Sequence, residues 1–154
     1  MKKLFLSMVA GALLLFAGMD AQAQKGATGS TYKTALGMRV DFGNGGTGFG
    51  FNGKHFFTET NAIDANLLFY DGGGVGLGGE FQYNGDIKGT AGLKFYAGIG
   101  PDFYFGNGFT LVNIRPVLGL DYKIGASPID FAFDWRPRFT LNHGTYFEAG
   151  RFGF

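Results

Sequence analysis

The chain holds no cysteine in 154 residues. That excludes disulfide staples and thiolate nucleophiles, and it excludes a lipid-modified cysteine behind a cleaved leader. Charge is also scarce. Asp, Glu, Lys and Arg make up 16% of the chain, whereas a soluble surface carries about 25–35%. There is one tryptophan, and only two histidines, His55 and His143. Past residue 23 the only serines are Ser30 and Ser127, one ahead of the first expected strand and one in a turn. From Tyr32 onward no stretch carries a 3.6-residue apolar stripe, so amphipathic helices are not expected.

Glycine and aromatic residues are abundant instead: 29 Gly, 19 Phe, and an aromatic share of 18%. This apolar mass must face something other than water.

Residues 1–23 are expected to be a leader rather than part of the fold. Lys2 and Lys3 form a positive start, "LFLSMVAGALLLFAG" an apolar run, and "AQA" at Ala21–Ala23 a small-x-small cleavage pattern. The run is short for a spanning helix, which needs about 20 apolar residues. Losing Lys2, Lys3 and Asp20 with the leader leaves acids and bases equal in number. A neutral chain offers no basic footprint for nucleic acid. Residues 24–31 are read as a short N-terminal periplasmic segment and 32–154 as one domain.

Within that domain, period-2 alternation dominates, which is the strand pattern. "TYKTALGMRVDF" sets Leu36, Met38, Val40 and Phe42 against Lys33, Gly37, Arg39 and Asp41. "AIDANLLFY" sets Ile63, Leu67 and Phe69 against Asp64, Asn66 and Tyr70, and "IDFAFDWRPRF" sets Phe131, Phe133, Trp135 and Phe139 against Asp130, Asp134, Arg136 and Arg138. The last segment, "YFEAGRFGF", keeps Glu148 and Arg151 on one face only if a bulge sits near Gly150. Turn signals such as "GNGG", "TETN", "DGGG", "NGDIKG" and "LNHG" separate the segments. The count is eight strands and seven short connections, an antiparallel up-and-down meander.

Alternation does not say which face points inward. A soluble barrel would bury the apolar face; a membrane barrel reverses this, with an outward apolar band flanked by aromatic girdles. The apolar face carries too many large aromatics for an eight-stranded interior. The polar face is rich in small glycines, and aromatics recur near segment ends, where interfacial belts lie. The expected fold is therefore all-β: an eight-stranded antiparallel up-and-down transmembrane β-barrel.

The signal-like leader, the alternating segments and the terminal "RFGF" together resemble the small outer-membrane β-barrel proteins of Gram-negative bacteria. "GLDYKIGASPIDFAFDWRPRFTL" looks like the penultimate hairpin of uncharacterised barrels of this type. The resemblance implies a cell outer-membrane location after export, contact with outer-membrane lipid, and insertion by the barrel-assembly machinery reading Phe152 and Phe154. Glu148 departs from a strictly apolar alternation in that terminal signal.

The stretch "GNGGTGFGFNGKH" (43–55) imitates two phosphate-binding patterns. A phosphate loop needs a following helix whose N–H groups hold the anion; here an alternating strand follows, and His55 stands where a Mg²⁺-binding hydroxyl is required. The glycines are read as a hairpin turn and as small lumen residues. Sparse Ser, His and Cys give no nucleophile–base pair, and no metal-ligand spacing occurs. No enzyme activity, no cofactor and no metal are expected.

The polar face is the informative constellation. Its bases are Lys33, Arg39, Lys54, Lys94, Arg115, Lys123, Arg136, Arg138 and Arg151; its acids are Asp41, Asp64, Glu80, Asp102, Asp121, Asp130, Asp134 and Glu148. Near-equal numbers suit a lumen of paired charges, since an isolated buried ion costs several kcal/mol. The expected network is Arg39, Asp64, Glu80, Lys94, Arg115, Asp121, Asp134, Arg136, Arg138, Glu148 and Arg151. This pattern points to a monomeric structural, envelope-integrity barrel with a filled lumen. A small pore or a route for small apolar molecules is the alternative. A third reading is surface binding through the hairpin of the long segments 91–105 and 109–124, turning at Asn107.

Overall fold

A computed structural model describes residues 32–106, 108–125, 129–142 and 144–154. The expected leader, Ser30, Asn107, Ser127 and His143 lie outside these residues. The elements are β1 (Thr34–Gly43), β2 (Gly48–Phe56), β3 (Asn61–Tyr70), β4 (Val75–Asp86), β5 (Leu93–Gly106), β6 (Phe109–Lys123), β7 (Asp130–Trp135), β8 (Arg138–Thr140), β9 (Tyr146–Glu148) and β10 (Arg151–Gly153). Each strand through β6 pairs antiparallel with the next, and β6 pairs with both β7 and β8. β10 then joins β7 to β1 and closes the sheet. β7 with β8, and β9 with β10, are the halves of the seventh and eighth wall strands. The molecule is a closed antiparallel eight-stranded β-barrel. The upper rim holds the turns after β1, β3, β5 and β8; the lower rim holds those after β2, β4 and β6.

Period-2 alternation becomes two faces of opposite character. Leu36 and Met38 point outward at 68% and 71% exposure, with Phe49, Phe51, Ile63, Phe81, Leu118, Phe133 and many others. Arg115, Arg136 and Arg151 point inward at 1% or less. This inverts the usual arrangement, in which charged side chains are almost never fully buried. The "GNGG" turn has Gly45 and Gly46 at φ +84° and +110°, the left-handed backbone that glycine adopts without strain.

The seventh strand was expected to be continuous, but it is interrupted at Arg136–Pro137. The register that pairs Leu118 with Trp135 resumes unchanged at Ile114–Phe139, which sets Pro116 opposite Pro137. Neither ring has an N–H to give to the ladder. On the other side, Arg138 pairs with Glu148, while the Arg136 amide donates to the Arg151 carbonyl at 3.0 Å. Ala149 and Gly150 therefore both stand against Pro137, a β-bulge at the position the charge pattern required. The Ala149 carbonyl accepts from the Trp135 indole Nε1–H at 2.6 Å.

The closure is short. β1 pairs with β10 over Asp41–Gly43, and Val40 and Phe154 exchange backbone bonds of 2.8 and 2.9 Å. Phe152 stacks between Phe42 and Phe133 on the outer face, and Phe154 stacks on Phe131. Nearer the lower rim the Tyr32 hydroxyl donates to Asp130 at 2.7 Å, tying the segment before β1 to β7.

The long β5–β6 hairpin is barrel wall rather than a projecting arm with free edges. β5 pairs with β4 as far as Val75–Phe105 and with β6 along its whole length. Above Asn113, the Asn142 side chain extends the β6 ladder. It accepts from the Val112 amide at 2.9 Å and donates to the Thr110 carbonyl at 2.7 Å.

Candidate functional site: the luminal ion-pair network

The network starts from residues that alternation places on the inner face of different strands. Near the upper rim its hub is Asp41. One carboxylate oxygen accepts from Arg115 Nη1 at 2.6 Å and from the Tyr70 hydroxyl at 2.9 Å. The other accepts from Arg151 Nη2 and Nε at 2.8 and 3.1 Å. Tyr70 fits because its ring lies between Gly48 and Gly76, where added Cβ atoms would sit 2.7 and 2.9 Å from ring carbons.

Arg115 also reaches Asp102 at 3.3 Å and the Arg136 carbonyl at 3.1 Å. Asp102 in turn accepts from Asn113, whose side-chain oxygen accepts from Thr140. Arg151 Nη1 donates to the Asn44 carbonyl at 2.5 Å and lies 3.7 Å from Glu148. Arg138 is held more loosely, 3.8 Å from Glu148 and 3.4 Å from the Tyr70 hydroxyl.

At mid-height Arg136 is fully enclosed. Nε and Nη2 clasp Asp134 at 2.5 and 2.7 Å, and Nη1 reaches Glu80 at 2.9 Å. This two-pronged geometry is specific to guanidinium. Tyr96 donates to Asp134 at 2.6 Å, and Gln82 to Glu80 at 3.1 Å. Arg39 meets Asp64 at 3.3 Å, with Asn52 donating to the same carboxylate oxygen.

Toward the lower rim Lys54 lies 3.6 Å from Asp121 and donates to Asn84 at 2.6 Å. Its ammonium also sits over the rings of Tyr96 and Phe56, at 4.8 and 5.1 Å, a favourable place for a cation. Tyr32 packs edge-on against Phe56 below it. Burial pushes the Tyr32 hydroxyl well above its ordinary range, and the charges of Asp121 and Asp130 add to this, so it stays protonated as the donor to Asp130.

Ten of the eleven expected network residues enter these luminal pairs. Lys94 does not. Second in β5, it stands in register between Asp86 and Asp121; it pairs at 3.3 Å with Asp86, whose side chain is largely exposed at the end of β4, while Asp121 is taken by Lys54. Asp41, Asp102 and Lys54 were absent from the expected network although alternation put them on its face. Ranking them needs register, which makes Asp41 the meeting point of β3, β6 and β10. His55 points to the outer face beside Thr34, its Nδ1 2.8 Å from the hydroxyl. Among the described residues no group of three or more His, Asp or Glu is placed to hold a metal ion.

No family model matches the chain, and no curated protein or solved structure matches it either.

Proposed function

We propose that this chain is an outer-membrane β-barrel that serves the envelope structurally, its lumen closed by its own ion pairs. The observation that carries this is continuity. Buried pairs succeed one another from Arg151–Asp41–Arg115 through Arg136–Glu80 and Arg39–Asp64 to Lys54–Asp121. Their acids and bases nearly balance, whereas a selective pore carries rings biased to one sign. The outward apolar face supports a lipid surround, since in water such a face would be an aggregation liability. On this reading the barrel is a monomer that needs no cofactor and performs no catalysis. Phe152, half-buried between its stacked neighbours, and Phe154, exposed, both on the outer face, serve the assembly machinery as its recognition element.

Single-channel conductance of the refolded barrel in a planar bilayer tests the proposal, with Arg136→Ala alongside. The wild type is expected to be silent and the variant to conduct, because truncating the enclosed guanidinium removes the partner of both Glu80 and Asp134. The looser hold on Arg138 favours a second reading, a narrow pore whose pairs exchange partners. Reproducible wild-type steps would establish that reading and overturn the closed barrel.

A further inference from the structure

The seam between β6 and β7–β8 combines three features that closure of the barrel does not need. First, the sheet pairing lapses between Leu118–Trp135 and Ile114–Phe139, with Pro116 opposite Pro137. Second, continuing the Ile114–Phe139 register by one residue sets Arg115 directly opposite Arg138, both facing the lumen. Like charges in opposed positions destabilise a strand pair. Third, each of these buried arginines keeps an Nε–H with no partner. Burying such a donor unsatisfied is costly, the more so for a charged group. The two guanidiniums converge on one place. Arg138 Nη2 lies 3.4 Å from the Tyr70 hydroxyl, which itself donates to the Asp41 carboxylate bound by Arg115.

The strand halves around this seam are lightly held. β8 and β9 form a small hairpin between Pro137 and the Ala149–Gly150 bulge, fastened to the wall through β6. Among the described residues β9 pairs with β8 alone. Arg138 is carried on that hairpin and holds Glu148 at only 3.8 Å.

We propose that the Arg115–Arg138 seam is a binding site for an oxyanion, a phosphate or carboxylate group. The anion would take the two free Nε–H donors and relieve the repulsion between the opposed guanidiniums. The neighbouring carboxylates Asp41, Asp102 and Glu148 oppose a second negative charge, so binding needs the hairpin to swing Glu148 aside while Arg138 turns toward Arg115. Such a group has two sources: the headgroup of a membrane amphiphile, entering through the wall at the proline pair, or a soluble anion entering at the upper rim. This goes beyond the structural reading and does not depend on whether the lumen conducts.

The single tryptophan, Trp135, caps the bulge facing Pro137 and reports on the seam. Its emission in the refolded barrel is to be titrated with dodecyl phosphate, with inorganic phosphate and with dodecyl maltoside. A saturable change with dodecyl phosphate but not the maltoside is expected. Arg138→Gln should weaken it by about tenfold or more, the loss of one charged hydrogen bond. Lys94→Gln, at the lower rim, should leave it unchanged. Arg138→Lys, which keeps the charge without the Nε–H fork, separates a lost site from a lost fold, with the unheated gel shift checking folding in each variant. Response to inorganic phosphate as well would identify a soluble anion as the source; response to the alkyl phosphate alone would identify a headgroup. No saturable response from the folded wild type, an equal response to the maltoside, or undiminished binding by folded Arg138→Gln would each overturn the site.

Discussion

Asp41 shows how much a single luminal side chain carries. Its two oxygens receive four donors from Arg115, Arg151 and Tyr70, side chains that start on three other strands. Asp41→Asn keeps the shape but leaves two buried guanidiniums short of their counter-charge. Breaking a buried pair this way costs about 3–5 kcal/mol, so the unfolding midpoint in detergent micelles should fall by that equivalent. Lys94→Ala, at a rim pair, should cost no more than about 1 kcal/mol. Equal midpoints for the two variants would contradict the network's hierarchy. At this scale the sequence says which side chains are inside, because alternation assigns a face to each. It does not say which partner each meets. Asp41 and Arg151 are 110 residues apart, and only strand register brings them together.

At the scale of elements, two irregularities set the wall's local chemistry, and they differ in how visible they are beforehand. The bulge at Ala149–Gly150 is legible because Glu148 and Arg151, an odd number of residues apart, are both charged and must share a face. Its consequence is a phase change between β9 and β10. Deleting Ala149 leaves Glu148 and Arg151 two residues apart, so strict alternation keeps both in the lumen and Phe152 outside without a bulge. The deletion product is expected to keep the heat-modifiable band of a folded barrel on an unheated gel; loss of that band would show that the bulge itself, through the Ala149 carbonyl that holds Trp135, is needed for folding. The break at Pro137 is not legible, because "DWRPRF" keeps its alternation through the proline. The interruption becomes compelling only when Pro116 falls opposite Pro137, a fact of pairing rather than of either segment. The hairpin of β5 and β6 teaches the same lesson: its length is plain in the sequence, but the edge-covering role of Asn142 is not.

The inversion of the whole molecule is written in composition. Few charges, many aromatics and neat alternation set the apolar side chains apart on one face, and the segment count gives the eight staves. Closure is a different matter, since it depends on the longest-range contacts in the chain. Contacts of this kind form late, because loop-closure entropy must be overcome first. Arg151→Gln weakens the β1–β10 junction and should therefore speed unfolding while leaving the refolding rate in micelles nearly unchanged. Denaturant-dependent rates would check this, and a slowed refolding limb with unaltered unfolding would place closure early. The same junction has a mechanical meaning. Around the ring, β5 and β6 are bridged along all 14 residues of β5, while β10 contributes 3. The barrel is thus a hoop with one short clasp, made of a charge rivet inside and stacked phenyl rings outside. Tension applied along the final strand would unzip it there, leaving the stiff β5–β6 staves intact.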